Sequence, residues 1–140
     1  MLMFDGRRDA PSVLLRVAIV VLTLSTAYIH YTLGSMMFML NALGYVVLAA
    51  AMVAPLPIAS RYRWLIRAAL IVFALATIGG WVMFGARYWL AYMAKAIEIG
   101  LIALLFVEML RYDGGPVAVA QRGWALAMGV LRRLTGRSAA

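Results

Sequence analysis

The chain has 140 residues, of which 66% are hydrophobic and 13% charged, and its formal net charge is +8. Soluble domains are typically about 45–50% apolar and about 25% charged, so this composition excludes an ordinary soluble domain and indicates a membrane protein. The sequence contains no cysteine, which excludes disulfides, thiolate metal sites and thiol redox chemistry. The basic residues cluster beside the apolar runs. We therefore expect the chain to meet anionic lipid headgroups of a bilayer and no nucleic acid.

Four apolar runs follow a short polar lead at residues 1–12. Each run is long enough to cross a bilayer, because about 20 residues at about 1.5 Å rise cover the ~30 Å of hydrocarbon. The predicted spans are 13–33, 36–55, 64–84 and 88–110, in a transmembrane domain of 13–111. The sequence predicts an all-α membrane bundle of four antiparallel helices.

Short polar segments mark the ends of these runs. Ser12 is the predicted N-cap of the first helix, after Pro11. Residues 34–35 form a link so short that the first two spans must pair as an antiparallel hairpin. Pro55 and Pro57 end the second span, and residues 58–63 are predicted as a short basic loop.

The C-terminal segment 112–140 is basic and amphipathic. At 100° per residue, one face carries Val117, Ala120, Trp124, Ala127, Met128 and Leu131. This pattern predicts a cytoplasmic helix that lies on the membrane surface. The predicted headgroup contacts are Arg122, Trp124, Arg132, Arg133 and Arg137. The alternative is a frayed polar tail whose arginines only fix the topology.

The basic residues are distributed unequally between the two sides of the predicted bundle. Only Arg87 and Lys95 belong to one half, and the other eleven of the 13 lysines and arginines belong to the opposite half. Because cytoplasmic loops carry an excess of Lys and Arg, this asymmetry predicts that both termini are cytoplasmic. We expect a protein integral to a bacterial-type plasma membrane.

Lys95 and Glu98 are charged residues in the interior of the fourth run, and Glu98 falls near its middle. A charge at that depth costs at least about 2.5–3.5 kcal/mol, so it normally faces a partner or a wet cavity. The two residues are three apart and therefore share a helix face. In a structural role, the two residues form an ion pair, or Lys95 extends toward the membrane surface. In a functional role, Glu98 binds a proton, a cation or a ligand amine. A third alternative is that the charges contact another subunit.

His30 is the single histidine, and it shares one stripe of the first span with Arg16 and Thr23. Such a stripe faces protein more readily than lipid. Three roles remain open: a hydrogen-bonded interfacial residue, a titrating group in a proton path, or an axial ligand to a tetrapyrrole. A tetrapyrrole is accordingly the one candidate cofactor.

The other candidate polar residues fall in the predicted outer half, whereas the inner half has only Arg16, Arg67, Glu108 and Arg111 near the cytoplasmic boundary. Asn41 is costly in lipid unless bonded, and we expect it to form a cross-helix hydrogen bond. The candidate outward-facing pocket consists of His30, Asn41, Lys95 and Glu98, with a periphery of Tyr45, Thr77, Arg87 and Tyr92. The sequence has no metal-ligand spacing, nucleophile elbow, Walker motif or dinucleotide fingerprint. We therefore expect neither an enzyme nor a metal site.

Several short motifs resemble those of small uncharacterised four-span integral membrane proteins of bacteria and archaea. They are Ile29-His30, LNALGY at 40–45, Gly80-Trp81 and the pair Lys95 and Glu98. The resemblance covers residues 14–108 and implies a helical bundle, with no assigned activity.

Two classes of function fit these patterns best. The first is a non-catalytic membrane component that acts by association with another membrane subunit or with itself, as an accessory or structural subunit. The second is a small oligomeric transporter or ligand-binding protein with its polar pocket around Glu98. A weaker third is a pigment- or haem-binding subunit that uses His30.

Overall fold

The computed structural model describes residues 10–136, and this part of the chain is helical with no strand. Its helices are α1 (Ala10–Thr32), α2 (Met36–Val53), α3 (Pro57–Arg61), α4 (Arg63–Phe84), α5 (Trp89–Tyr112) and α6 (Pro116–Leu134). Helices α1, α2, α4 and α5 are long and apolar enough to cross a membrane. The prediction of an all-α chain with four long apolar helices is confirmed. Most of the predicted polar lead, and Arg137, lie outside the described residues.

Two local predictions are wrong. Ser12 lies inside the first turn of α1, which already includes Ala10, so it is not the residue that caps this helix. The predicted loop at 58–63 contains the helix α3, which begins at Pro57. Proline suits a first helical position because its φ is fixed near the helical value and its missing N–H would have no partner there. Pro57 therefore starts a helix and is not simply the stop signal after α2.

The link between α1 and α2 is as tight as the sequence predicts. Gly34 adopts a positive φ of 74°, which glycine reaches without a steric penalty. Ser35 then caps α2, and its hydroxyl accepts a hydrogen bond from the backbone N–H of Phe38 at 3.4 Å. The chain thus leaves α1 and enters α2 within three residues.

The four long helices surround a common core. Helix α1 packs against α2 and α5, and α4 packs against the same two helices. The largest fully buried apolar side chains are Tyr45, Ile19, Met52, Leu70, Leu101 and Leu105. The outward faces of the long helices carry exposed apolar residues such as Leu40, Val72 and Val107. An apolar surface on helices of this length is the arrangement that a lipid environment favours.

Helix α6 packs against α4 and α5 through a small contact in which Val119 is buried. The rest of its apolar side is uncovered, and Val117, Trp124 and Leu131 are exposed. Arg122, Arg132 and Arg133 are also exposed. The described part of the chain therefore leaves most of the apolar side of this amphipathic helix uncovered by protein.

Candidate functional site

Glu98 of α5 lies at the centre of a buried polar cluster. Its Oε2 accepts a 2.6 Å hydrogen bond from Nζ of Lys95, one turn earlier on the same helix. Its Oε1 accepts a 3.0 Å hydrogen bond from Oγ1 of Thr26 on α1. The Nε2 atom of His30 lies 3.7 Å from the same oxygen. Three side chains from two helices therefore surround one carboxylate, and Glu98 itself is 0% exposed.

The orientation of His30 follows from its second ring nitrogen. The Nδ1 atom lies 2.8 Å from the backbone carbonyl oxygen of Thr26, a distance at which an N–H donates. In the neutral ring Nε2 then carries a lone pair, and it faces Oε1 of Glu98. One added proton between these two atoms would satisfy both of them.

Tyr45 of α2 closes one side of the cluster. Its ring lies 5.8 Å from that of His30 and meets the ring of Phe73 edge-on at 4.8 Å. Because Oγ1 of Thr77 donates to the carbonyl oxygen of Ala74, the 3.0 Å contact between Tyr45 and Thr77 has the tyrosine hydroxyl as donor. This bond connects α2 to α4 directly beside the cluster.

The other predicted site residues lie elsewhere or lack their expected partner. Asn41 is one turn before Tyr45 on α2, and its buried Oδ1 has no hydrogen-bond partner among residues 10–136. The predicted cross-helix bond is therefore not formed. Arg87 and Tyr92 instead pack on Trp81, at 4.2 Å and 5.2 Å from its ring. Arg87, in the connection between α4 and α5, and Tyr92, near the start of α5, therefore lie outside the Glu98 cluster.

The cluster is closed rather than open to one side. Lys95 is 7% exposed, His30 is 3% exposed and Glu98 is 0% exposed. A groove of about 570 Å³ lies between α1 and α2, but its lining includes no member of the cluster. It is lined by Leu24, Ala27, Tyr28, Tyr31, Met39, Leu40, Ala42, Leu43 and Val46. The predicted polar pocket is thus an enclosed polar core in this conformation.

A second buried charge cluster, which we call the arginine network, consists of Arg16, Arg67, Glu108 and Asp113. Arg67 of α4 donates from Nη1 to both carboxylate oxygens of Asp113, at 2.7 Å and 2.6 Å. Its Nε lies 3.0 Å from Oε2 of Glu108, an ionic contact without hydrogen-bond alignment. Arg16 of α1 reaches the other oxygen of Glu108 at 3.0 Å. The network therefore joins α1, α4, α5 and the segment that leads to α6.

The sequence analysis missed this network, and it also missed Thr26. Glu98, Glu108 and Asp113 are the acidic residues of the described part, and each of them is buried and ion-paired. Both clusters balance their formal charges, one with a single pair and the other with two arginines and two carboxylates. A balanced cluster lowers the cost of keeping charge away from water. These three acidic residues lie inside or directly beside an apolar run, and that placement was the signal for such pairing.

Comparison of the chain with models of protein families, with curated proteins and with solved structures finds no match. Within residues 10–136, no three His, Cys, Asp or Glu side chains group in a way that would hold a metal ion.

Proposed function

We propose that the chain is an integral membrane protein whose four long helices cross the bilayer in antiparallel order. Two contacts between α1 and α5 support this order. Arg16 contacts Glu108, whereas Thr26, further along α1, contacts Glu98, which lies earlier in α5. Ten residues of helix correspond to about 15 Å, so the two contacts are far enough apart to define a direction. The short links between successive helices support the same order, because each one leaves a helix beside its neighbour in sequence.

The proposed orientation places both termini in the cytoplasm of a bacterial-type cell. Seven arginines of the described part have no carboxylate partner there. Six of them lie at the end of the bundle that holds the arginine network, or on α6, which follows it. They are Arg61, Arg63, Arg111, Arg122, Arg132 and Arg133, against Arg87 alone at the α4–α5 connection. The positive-inside tendency favours the side with six. On that side α6 would lie in the interface, with Trp124 among lipids and its arginines at anionic headgroups.

Within the membrane, we assign the chain a non-catalytic role, as an accessory or structural subunit that acts by association. One observation carries this assignment: the carboxylates of the described part all face inward and are neutralised inside the chain. The long helices consequently offer apolar side chains to their surroundings, and contact through such faces is what a membrane subunit uses. Lys95 and Glu98 pair with each other inside the bundle, so the proposed association does not depend on them.

The association proposal is tested by extraction of native membranes in a mild detergent, followed by mass spectrometry of the proteins that co-migrate with the chain. A stoichiometric membrane partner, or a second copy, is the expected result. The variant Glu98→Gln serves as an internal control, because an inward-facing carboxylate should not alter the composition of the complex. A strictly monodisperse monomer would refute an associating role.

The Glu98 cluster supports a second candidate, a small transporter or binding protein that couples to a proton or a cation. The supporting observation is the contact between Nε2 of His30 and Oε1 of Glu98, which can accommodate one additional proton. Intramembrane ionisable groups commonly mark ion or proton pathways. The same contact disfavours a tetrapyrrole, because the nitrogen that would ligate its metal faces a carboxylate.

This second candidate predicts that Glu98→Gln abolishes a proton- or cation-dependent flux in proteoliposomes. Glu108→Gln is the matched control, since it also removes a buried carboxylate but leaves the cluster around His30 intact. A flux that survives Glu98→Gln would remove Glu98 from the mechanism. Equal loss in both variants would attribute the effect to folding.

A further inference from the structure

Arg63, the first residue of α4, carries a positive charge that the described part of the chain leaves uncompensated. Its guanidinium is partly buried, and its Nε is buried without a hydrogen-bond acceptor among residues 10–136. No carboxylate of this part forms an ion pair with it. A buried charged donor without an acceptor is costly, so a partner for this group is expected.

The arginine network cannot supply that partner. Arg63 lies one helical turn before Arg67 and is within electrostatic reach of Arg16, Arg67 and Glu108. Both oxygens of Asp113 already accept hydrogen bonds from Arg67, and Glu108 is shared between Arg67 and Arg16. Three guanidinium groups therefore face two carboxylates, which leaves an excess of one positive charge.

The missing counter-ion has a definite chemistry. Arginine presents a planar fork of N–H donors that matches the oxygens of a phosphate group. Arg16 keeps 33% of its side chain exposed, so it can turn part of its own fork toward the same anion. Arg61 and Arg111, which are exposed near the adjoining helix ends, add to the positive potential there. In the proposed membrane orientation, this position lies at the level of the cytoplasmic headgroups.

We propose that Arg63, assisted by Arg16, binds the phosphate group of one anionic phospholipid of the cytoplasmic leaflet. The inference rests on the proposed membrane insertion and orientation, but not on any partner subunit. It differs from general attraction of α6 to headgroups, because the site belongs to the bundle and binds a single lipid. The lipid phosphate would compensate the charge of Arg63, which the two carboxylates of the arginine network do not neutralise.

The test is native mass spectrometry of the full chain in detergent, titrated with phosphatidylglycerol, with phosphatidylcholine or with inorganic phosphate. We expect one phosphatidylglycerol to bind more tightly than phosphatidylcholine. Arg63→Gln should weaken phosphatidylglycerol binding about tenfold or more, as loss of a charge-assisted hydrogen bond implies. Arg61→Gln is the matched control. It removes the same charge two residues earlier, from an exposed side chain, and should weaken binding less than about threefold.

Three outcomes overturn the proposal. Equal effects of Arg63→Gln and Arg61→Gln would reduce the site to diffuse attraction. Equal affinity for phosphatidylcholine would remove the requirement for an anionic lipid, and equally tight binding of inorganic phosphate would assign the site to a free ion.

Should Arg63→Gln fail to fold, a second variant tests the same site. Arg63→Lys keeps the charge but lacks the planar guanidinium, so it should bind phosphatidylglycerol about threefold more weakly. Unchanged affinity would refute a site that depends on the guanidinium. A chain that leaves membranes without detergent would instead refute the membrane proposal itself.

Discussion

Replacing Arg67 with Met tests the arginine network directly, because this one guanidinium holds two carboxylates. The side chain of Arg67 is 4% exposed and contacts Asp113 and Glu108 at 2.6–3.0 Å. In Arg67→Met, Glu108 keeps Arg16, but Asp113 loses the partner that the structure gives it. An uncompensated carboxylate would then remain at a site where 5% of the residue is exposed.

The expected cost follows from that orphaned charge. Removing one partner of a buried ion pair typically costs about 3–5 kcal/mol of unfolding free energy. We expect the lower end, about 3 kcal/mol, because Asp113 ends α5 and a small rearrangement would bring water to it. Arg16→Met should cost only about 1 kcal/mol, since Arg16 is partly exposed and Glu108 would still have Arg67.

The assay is equilibrium unfolding in mixed micelles, with a rising fraction of sodium dodecyl sulfate and far-ultraviolet circular dichroism as the signal. The double variant Arg67→Met with Asp113→Asn removes the orphaned charge, so it should recover at least about 1 kcal/mol relative to Arg67→Met alone. Two results would refute the reasoning. One is a cost of Arg67→Met no larger than that of Arg16→Met, and the other is a double variant that is less stable than the single one.

Two further predictions concern the contact between α2 and α4. A Cβ at Gly44 would lie 2.5 Å from Cζ of Phe73, so Gly44→Ala should cost about 1–3 kcal/mol in the same assay, whereas Gly79→Ala, with open space around it, should be neutral or stabilising. Equal effects of the two alanines would contradict the packing. Tyr45→Phe removes the hydroxyl that donates to Thr77 and should cost about 1 kcal/mol, and adding Thr77→Val should cost little more. Fully additive losses would mean that the hydroxyls do not act as a pair.

Regular features of the fold were predictable because they depend on neighbours in sequence. The four long helices follow from the apolar runs, and the contact between Lys95 and Glu98 follows from a spacing of three residues. Helix α3 was missed for a local reason as well. Pro57 fits both the end of one helix and the start of another, and only the backbone geometry decides between them.

The arginine network was not predictable, because its contacts join distant parts of the chain. Arg16 and Glu108 are 92 residues apart in sequence, and Arg67 and Asp113 are 46 apart. An arginine near the end of a span also fixes topology, and that explanation accounts for the sequence pattern without any partner. Thr26 was missed for a related reason, since a threonine in a long helix usually bonds its own backbone, whereas here it donates to Glu98.

The position of Lys95 makes it a chemical reporter of the closed bundle. Lysine occurs once in the whole sequence, and its ammonium group is buried against Glu98. A reagent that acylates amines needs contact between the amine and solvent, so this side chain should be spared while the bundle is closed. Acylation of Lys95 would then follow the rate at which α1 and α5 separate, and mass spectrometry of one peptide would read out that opening without any engineered label.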